Sequence, residues 1–226
     1  VAGALEAMAA CGLPLLVHGE VTDPDVDVFD REAVFIERHL APLVAANPDL
    51  RVVLEHVTTS HGVDFVLGAG DRVAGTLTAH HLLWNRNRIF SGGLDPHAYC
   101  LPVLKRERHR EALMAAATGA SGRFFLGTDS APHPQGAKES ACGCAGCYTA
   151  FAALELYAEA FDRAGALDRL EGFASFFGAD FYRLPLNRDQ VRLTRSEWRA
   201  PGDFAFGDGR LVPLRAGETI RWRLED

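Results

Sequence analysis

The sequence has no apolar run of membrane-spanning length, and its first twenty residues lack a basic segment followed by an export-type apolar core. The expectation is a cytoplasmic protein without membrane contact. Positive charge is also short: 23 Lys and Arg stand against 30 Asp and Glu, a net charge of −7. Such a balance argues against a general binder of nucleic acid or of anionic membranes. There is no spread disulfide framework, because three of the five cysteines crowd into CGCAGC at 142–147, and a reducing compartment is expected. Nor is there a G-x-G-x-x-G turn, which an open dinucleotide-binding sheet usually carries after its first strand. No linker-like or low-complexity segment divides the chain, so one domain over 1–226 is expected. What is present is 226 residues, 48% hydrophobic and 23% charged, enough for one sizeable core.

Apolar patterning gives a repeating order. LPLLVHGE (13–20) is a short continuous apolar run, as in a strand buried on both faces. Ala33, Ile36, Leu40 and Leu43 then recur at helical spacing until Asn47–Pro48 stops them. RVVLEH (51–56) is strand-like, and 59–70 fits a short helix ended by glycine. RVAGTLTAHHL (72–82) reads as a third strand, 102–119 as a helix with Pro102 near its first turn, and RFFLGTDS (123–130) as a fourth strand. The stretch after Cys147 is helical in pattern, with its Phe and Tyr residues in the core, and the last segment reads as short strands around Gly207–Asp208–Gly209. Strands alternating with helices predict an α/β fold with a parallel sheet. A polar group closes each strand: His18, His56, His80 or His81, and Asp129. In a (β/α) barrel those ends converge on the active-site face, and the barrel is the preferred architecture.

Taken singly, a histidine after an apolar run is usually a hydrogen-bonded rim residue, and Asp129 in TDS makes a good turn former or helix N-cap. Taken together, two imidazoles and a carboxylate at successive strand ends form the N/O ligand set that zinc and similar divalent ions prefer. His39 and His109 lie in charged helical patterns and are expected in solvent, while His61 and His97 lie in loops with no assigned role. Cys142, Cys144 and Cys147 have zinc-knuckle spacing, but a closed knuckle needs a fourth ligand. The intervening Gly143, Ala145 and Gly146 favour a backbone that approaches a ligand closely.

Five stretches in order, LPLLVHGEVT, EHVTT, CLPVLKR, FLGTDSAPH and KESACGCAGC, resemble the bacterial single-domain dihydroorotases of the amidohydrolase superfamily, from about Gly12 to the terminal AGETIRW. The resemblance implies a (β/α)8 TIM barrel that reversibly cyclises N-carbamoyl-L-aspartate to L-dihydroorotate with two divalent metals, most often Zn2+. On matching positions it implies that His18 and His56 ligate one metal. Asp129 touches the other and shuttles the proton, His133 binds the substrate carboxylate, and main-chain groups of Leu101 and Ala145 hydrogen-bond the ring. It also implies a homodimer. The family's N-terminal H-x-H and its bridging lysine find no match here, since Lys105 and Lys138 lie in contexts suited to other roles. The chain is therefore expected to hold strands five to eight plus a C-terminal extension, without the first four strands. Two alternatives are a different cyclic amidase, such as a hydantoinase or allantoinase, and a non-catalytic zinc module built on the cysteine cluster.

Overall fold

The leucine- and valine-rich runs form strands β1 (Leu15–His18), β2 (Val52–Glu55), β3 (Val73–Leu77) and β4 (Phe124–Leu126). They belong to a computed structural model that describes residues 2–225. The strands pair in the order β1-β2-β3-β4, all parallel, so their C-terminal ends lie along one side. Helices cross between them: Ser60–Gly68 joins β2 to β3, and Glu107–Thr118 precedes β4. Among the described residues this sheet has four strands, with β1 and β4 at its edges.

Strand alternation divides the sheet into two faces. Leu15, Val17, Val52, Leu54, Val73, Leu77 and Phe124 face the main core, which Val63, Leu113, Leu156, Tyr157 and Phe161 complete from the helices. On the other face Val53, Ala74 and Phe125 pack against Phe177, Phe181 and Tyr182. The Phe125 ring lies 5.8 Å from Phe181 and 5.5 Å from Tyr182, centroid to centroid. β1 departs from the expectation of burial on both faces: it alternates, and Leu16 is 46% exposed. The cause is its edge position, which leaves its second face uncovered here.

The helical run 31–46 forms as expected, with a π turn at Ile36–Leu40, and Asn47 ends it by donating its side-chain amide to the Leu43 carbonyl at 2.8 Å. Thr59 caps Ser60–Gly68 by accepting from the Gly62 amide. Three expectations need correction. The third strand stops at Leu77, because Thr78 accepts from the His81 amide and opens the short helix Ala79–Leu83, which places His80 and His81 in a helical turn. The later helix starts at Glu107, not near Pro102, because 101–106 runs extended to bury Val103, Leu104 and Lys105. His109 is not in solvent: it is buried, and its Nδ1 accepts from the Ser60 amide at 3.1 Å.

After the sheet, the helix Ala153–Arg163 buries Leu156, Tyr157 and Phe161 and carries the tail on its acidic residues. Glu159 pairs with Arg215 and accepts from the Arg221 amide at 2.6 Å. The expected hairpin forms between Phe204–Phe206 and Gly209–Leu211, with Gly207 at φ +57 supplying the turn. Among the described residues no helix is long and apolar enough to cross a membrane.

Candidate active site

The sheet gathers its polar residues where the strands end. By alternation His18 shares a face with Leu16, Val53 and Glu55, whereas His56 would follow Leu54 onto the main-core face. His56 instead takes φ +41, a left-handed conformation that costs a non-glycine residue about 1 kcal/mol. That bend redirects its ring, and His18 Nδ1 lies 3.1 Å from His56 Nε2 with the ring centroids 4.7 Å apart. The Thr76 hydroxyl pins the bend by accepting from the His56 amide at 2.7 Å. Asp129 stands in the same strained region, also at φ +41. Strain repeated at the ends of two strands of one sheet, β2 and β4, is a feature of functional sites.

The strand ends pack closely enough to fix these positions. A Cβ at Gly19 would come within 2.5 Å of the Leu54 side chain, and one at Gly127 within 2.5 Å of Thr76 Cβ. Behind them the Tyr157 hydroxyl donates to the carbonyls of Leu77 at 2.7 Å and Gly127 at 3.2 Å, tying β3 to β4 from below the site.

Glu20 Oε2 lies 3.2 Å from His18 Nε2 and raises the His18 pKa, against the effect of burial. With Nε2 engaged in this way, His18 Nδ1 is left to face His56. Burial, with the neighbouring His18 charge second, lowers His56 to about 4, so its ring is neutral at physiological pH. Its other nitrogen, Nδ1, has no protein partner, and neither has Glu20 Oε1. Burial raises the Asp129 pKa, while the His18 charge pulls it back. Two facing imidazole nitrogens, an orphaned buried nitrogen and the exposed Asp129 carboxylate, near enough to feel the His18 charge, are the N/O donor types a divalent cation takes. Among the described residues, however, they do not bring three ligand atoms within 4.8 Å of one another. The carboxylate behind His18 is the support that metal-bound histidines commonly have.

The FLGTDSAPH and CGCAGC stretches come together as one structure. Ser130 Oγ accepts from the amides of Thr149 at 3.0 Å and Ala150 at 2.9 Å, and the Ala131 amide donates to Cys147 at 2.9 Å. His133 lies against Gly146, where a Cβ would come within 2.9 Å of its Cδ2. The Gly146 amide donates to the Tyr99 carbonyl at 3.0 Å, bringing the segment that holds Leu101 to the loop that holds Ala145.

His80 and His81 divide in role. His81 Nε2 donates to the Pro102 carbonyl at 2.9 Å, and its Nδ1 lies 2.7 Å from the Thr78 hydroxyl, so both nitrogens are engaged. His80 is completely buried with neither nitrogen partnered, and burial lowers its pKa to about 3. With Cys100 these two histidines bring one ligand atom each to within 4.8 Å of one another. Sequence reasoning missed Cys100, whose place beside them comes from the fold of 99–105 and leaves no mark in spacing. The three loop cysteines do not group as a knuckle among the described residues: Cys142 is exposed and Cys147 buried.

No family model matches the chain. Among curated proteins, the dihydroorotase of Cupriavidus pinatubonensis is 65% identical over 222 residues, which is 98% of this chain and 64% of that protein. The dihydroorotase of Nitrosomonas eutropha is 63% identical over 220 residues, 97% of this chain and 64% of that protein. Among solved structures, Saccharomyces cerevisiae dihydroorotase in complex with 5-fluoroorotic acid superposes with a TM-score of 0.88 at 32% identity, over 98% of this chain and 65% of that one. Campylobacter jejuni dihydroorotase matches with the same TM-score and identity, over 99% and 64%. L-Hydantoinase from Arthrobacter aurescens shares the fold at a TM-score of 0.77 and 18% identity, over 96% of this chain and 56% of that one. In sequence and in fold the chain is similar to dihydroorotases, and it spans about 64% of the length of the curated relatives it matches.

Proposed function

We propose that these residues form the catalytic face of a dihydroorotase, which opens L-dihydroorotate to N-carbamoyl-L-aspartate and closes it again. The observation that carries this reading is the meeting of His18 and His56 at the ends of paired parallel strands, with Asp129 close enough for its charge to act on His18, in a chain 65% identical to a dihydroorotase. Residues 1–226 then belong to one catalytic domain, and the four-stranded sheet is half of a (β/α)8 barrel. The exposed inner face of β1 supports that placement, since Leu16 and His18 lie on it uncovered. The five free cysteines suit a cytoplasmic setting. The expected homodimer remains a proposal, to be tested by sedimentation of the full-length protein.

His18 Nδ1, His56 Nε2 and the Asp129 carboxylate would hold divalent metal, with zinc the preferred ion for this N/O set and two ions the number proposed. When bound, such ions polarise a carbonyl and make water acidic enough to act near neutral pH. The chain's own residues supply the rest. Asp129 takes a proton from the attacking water as the ring amide carbon is hydrated, and returns it to the amide nitrogen as the ring C–N bond breaks. A carboxylate whose pKa is raised by burial is better matched to that exchange than a solvated one. His133 binds the substrate carboxylate, and main-chain groups of Leu101 and Ala145 hydrogen-bond the ring. The reverse steps close the ring, with water leaving. The deciding experiment supplies L-dihydroorotate, hydantoin and allantoin to the metal-replete full-length protein. Faster turnover of dihydroorotate than of the other two is expected, and a preference for hydantoin or allantoin would overturn the proposal.

A further inference from the structure

The short helix Gln135–Lys138 lies between the two site loops and ends on a lysine that the proposed reaction does not use. Lys138 is 4% exposed. Its Nζ donates to the carbonyls of Tyr99 at 3.1 Å, Cys144 at 2.8 Å and Gly146 at 2.6 Å. An ammonium group has three N–H donors, and all three are spent on main-chain oxygens. The acceptors are placed tellingly: Cys144 and Gly146 flank Ala145, and Tyr99 stands two residues before Leu101. The Gly146 amide closes the same junction by donating to Tyr99. On the far side Cys147 Sγ donates to the His97 carbonyl at 3.4 Å, and the Cys147 carbonyl accepts from Ala131, two residues before His133. One buried charge therefore joins the segments that carry Leu101, Ala145 and His133. A buried ammonium is tolerable only with its hydrogen bonds complete, so the loops hold the lysine as firmly as it holds them.

We propose that Lys138 is a positioning residue whose ammonium sets the loops bearing Leu101 and Ala145 at the spacing and orientation that a cyclic imide ring requires. It determines substrate affinity without touching the substrate or the metal ligands. This rests on the proposed dihydroorotase reading, which supplies the ring-binding roles of Leu101 and Ala145.

The test is Lys138→Met in the metal-replete full-length protein, which keeps the stem and removes the donors. KM for L-dihydroorotate should rise by about 10-fold or more with kcat within about 3-fold, since misplaced binding groups cost affinity while the chemical groups remain. Bound metal should be unchanged. A second readout does not depend on turnover: Cys100 and Cys147, each 2% exposed, should react with iodoacetamide at least ~10-fold faster once the loops separate. Lys138→Gln, which restores two donors, should lie between wild type and Lys138→Met in both readouts, and it serves where the methionine variant is not recovered folded. Unchanged thiol reactivity would overturn the clamp, and faster labelling with unchanged KM would overturn its role in substrate affinity. A wild-type protein inert toward dihydroorotate would instead sink the functional reading, while the labelling comparison still decides whether Lys138 holds the loops.

Discussion

His18 and His56 sit on strands paired in register, yet their rings meet at 3.1 Å because His56 leaves its strand in the left-handed region. The positions of His18, His56 and Asp129 were legible as polar groups ending apolar runs, but the bends that aim them were not. Nothing in EHVTT announces that Thr76, twenty residues away, will hold the His56 amide. Asp129→Asn keeps size and removes the proton acceptor, so kcat for dihydroorotate in the full-length protein should fall by at least about 100-fold. Turnover within a few-fold of wild type would remove Asp129 from the chemistry. His133→Ala should raise KM at least ~10-fold and leave bound metal unchanged, since it deletes a charge-assisted contact and no ligand. Loss of metal in that variant would make His133 a ligand instead. His109 gives a pH prediction away from the site. Burial, with the nearby Arg108 charge second, lowers its pKa to about 4, so the unfolded chain takes up the proton first as pH falls. The loss of stability begins near the ordinary histidine value and is complete near pH 4. It should amount to about 2 kcal/mol, below the full linkage value because the ring is close to the surface. Urea denaturation of wild type and His109→Gln between pH 7 and 4.5 checks it, and parallel pH profiles would contradict it.

At the scale of elements, the four strands were readable because runs such as RVVLEH have few other folds open to them, and the helix 31–46 because its apolar spacing is regular. Boundaries failed where a side chain captured the backbone. Thr78 ended β3 five residues before its apolar pattern did, by accepting from the His81 amide. Pro102 suggested a helix start, but Lys105 follows it into the core and donates to Val103, and the helix waits for Glu107. His80 was read as a strand-end group and is an unpartnered buried ring in a helical turn. The helix Ala153–Arg163 was assigned only to the core, yet its Tyr157 hydroxyl braces the ends of two strands. Tyr157→Phe takes the hydroxyl donor from the Gly127 carbonyl and leaves the Leu77 carbonyl only the Gly127 amide, and it should cost about 1–3 kcal/mol, read as a lower urea midpoint with an unchanged slope. An unchanged midpoint would mean that the hydroxyl braces nothing.

For the whole molecule, the four-stranded parallel sheet has one face sealed by helices and the other covered only where Phe177, Phe181 and Tyr182 reach it. β1 runs along an edge with Leu13 57% and Leu16 46% exposed beside it. An uncovered strand edge next to exposed leucines is a template for pairing with another chain. The 226 residues alone should therefore self-associate with rising concentration in sedimentation velocity, and a concentration-independent monomer would contradict that. Sequence could not reveal which face stays open, because LPLLVHGE looks the same whether one face or two are covered. The central claim is that His18, His56 and Asp129 make one metal-dependent site for dihydroorotate. It is tested most directly by measuring dihydroorotate turnover and bound metal together in the full-length protein and its His56→Ala variant. The account predicts that the variant loses bound metal and at least about 100-fold in turnover, since removal of a ligand takes the polarising ion with it. Retention of both metal and turnover by His56→Ala would contradict it.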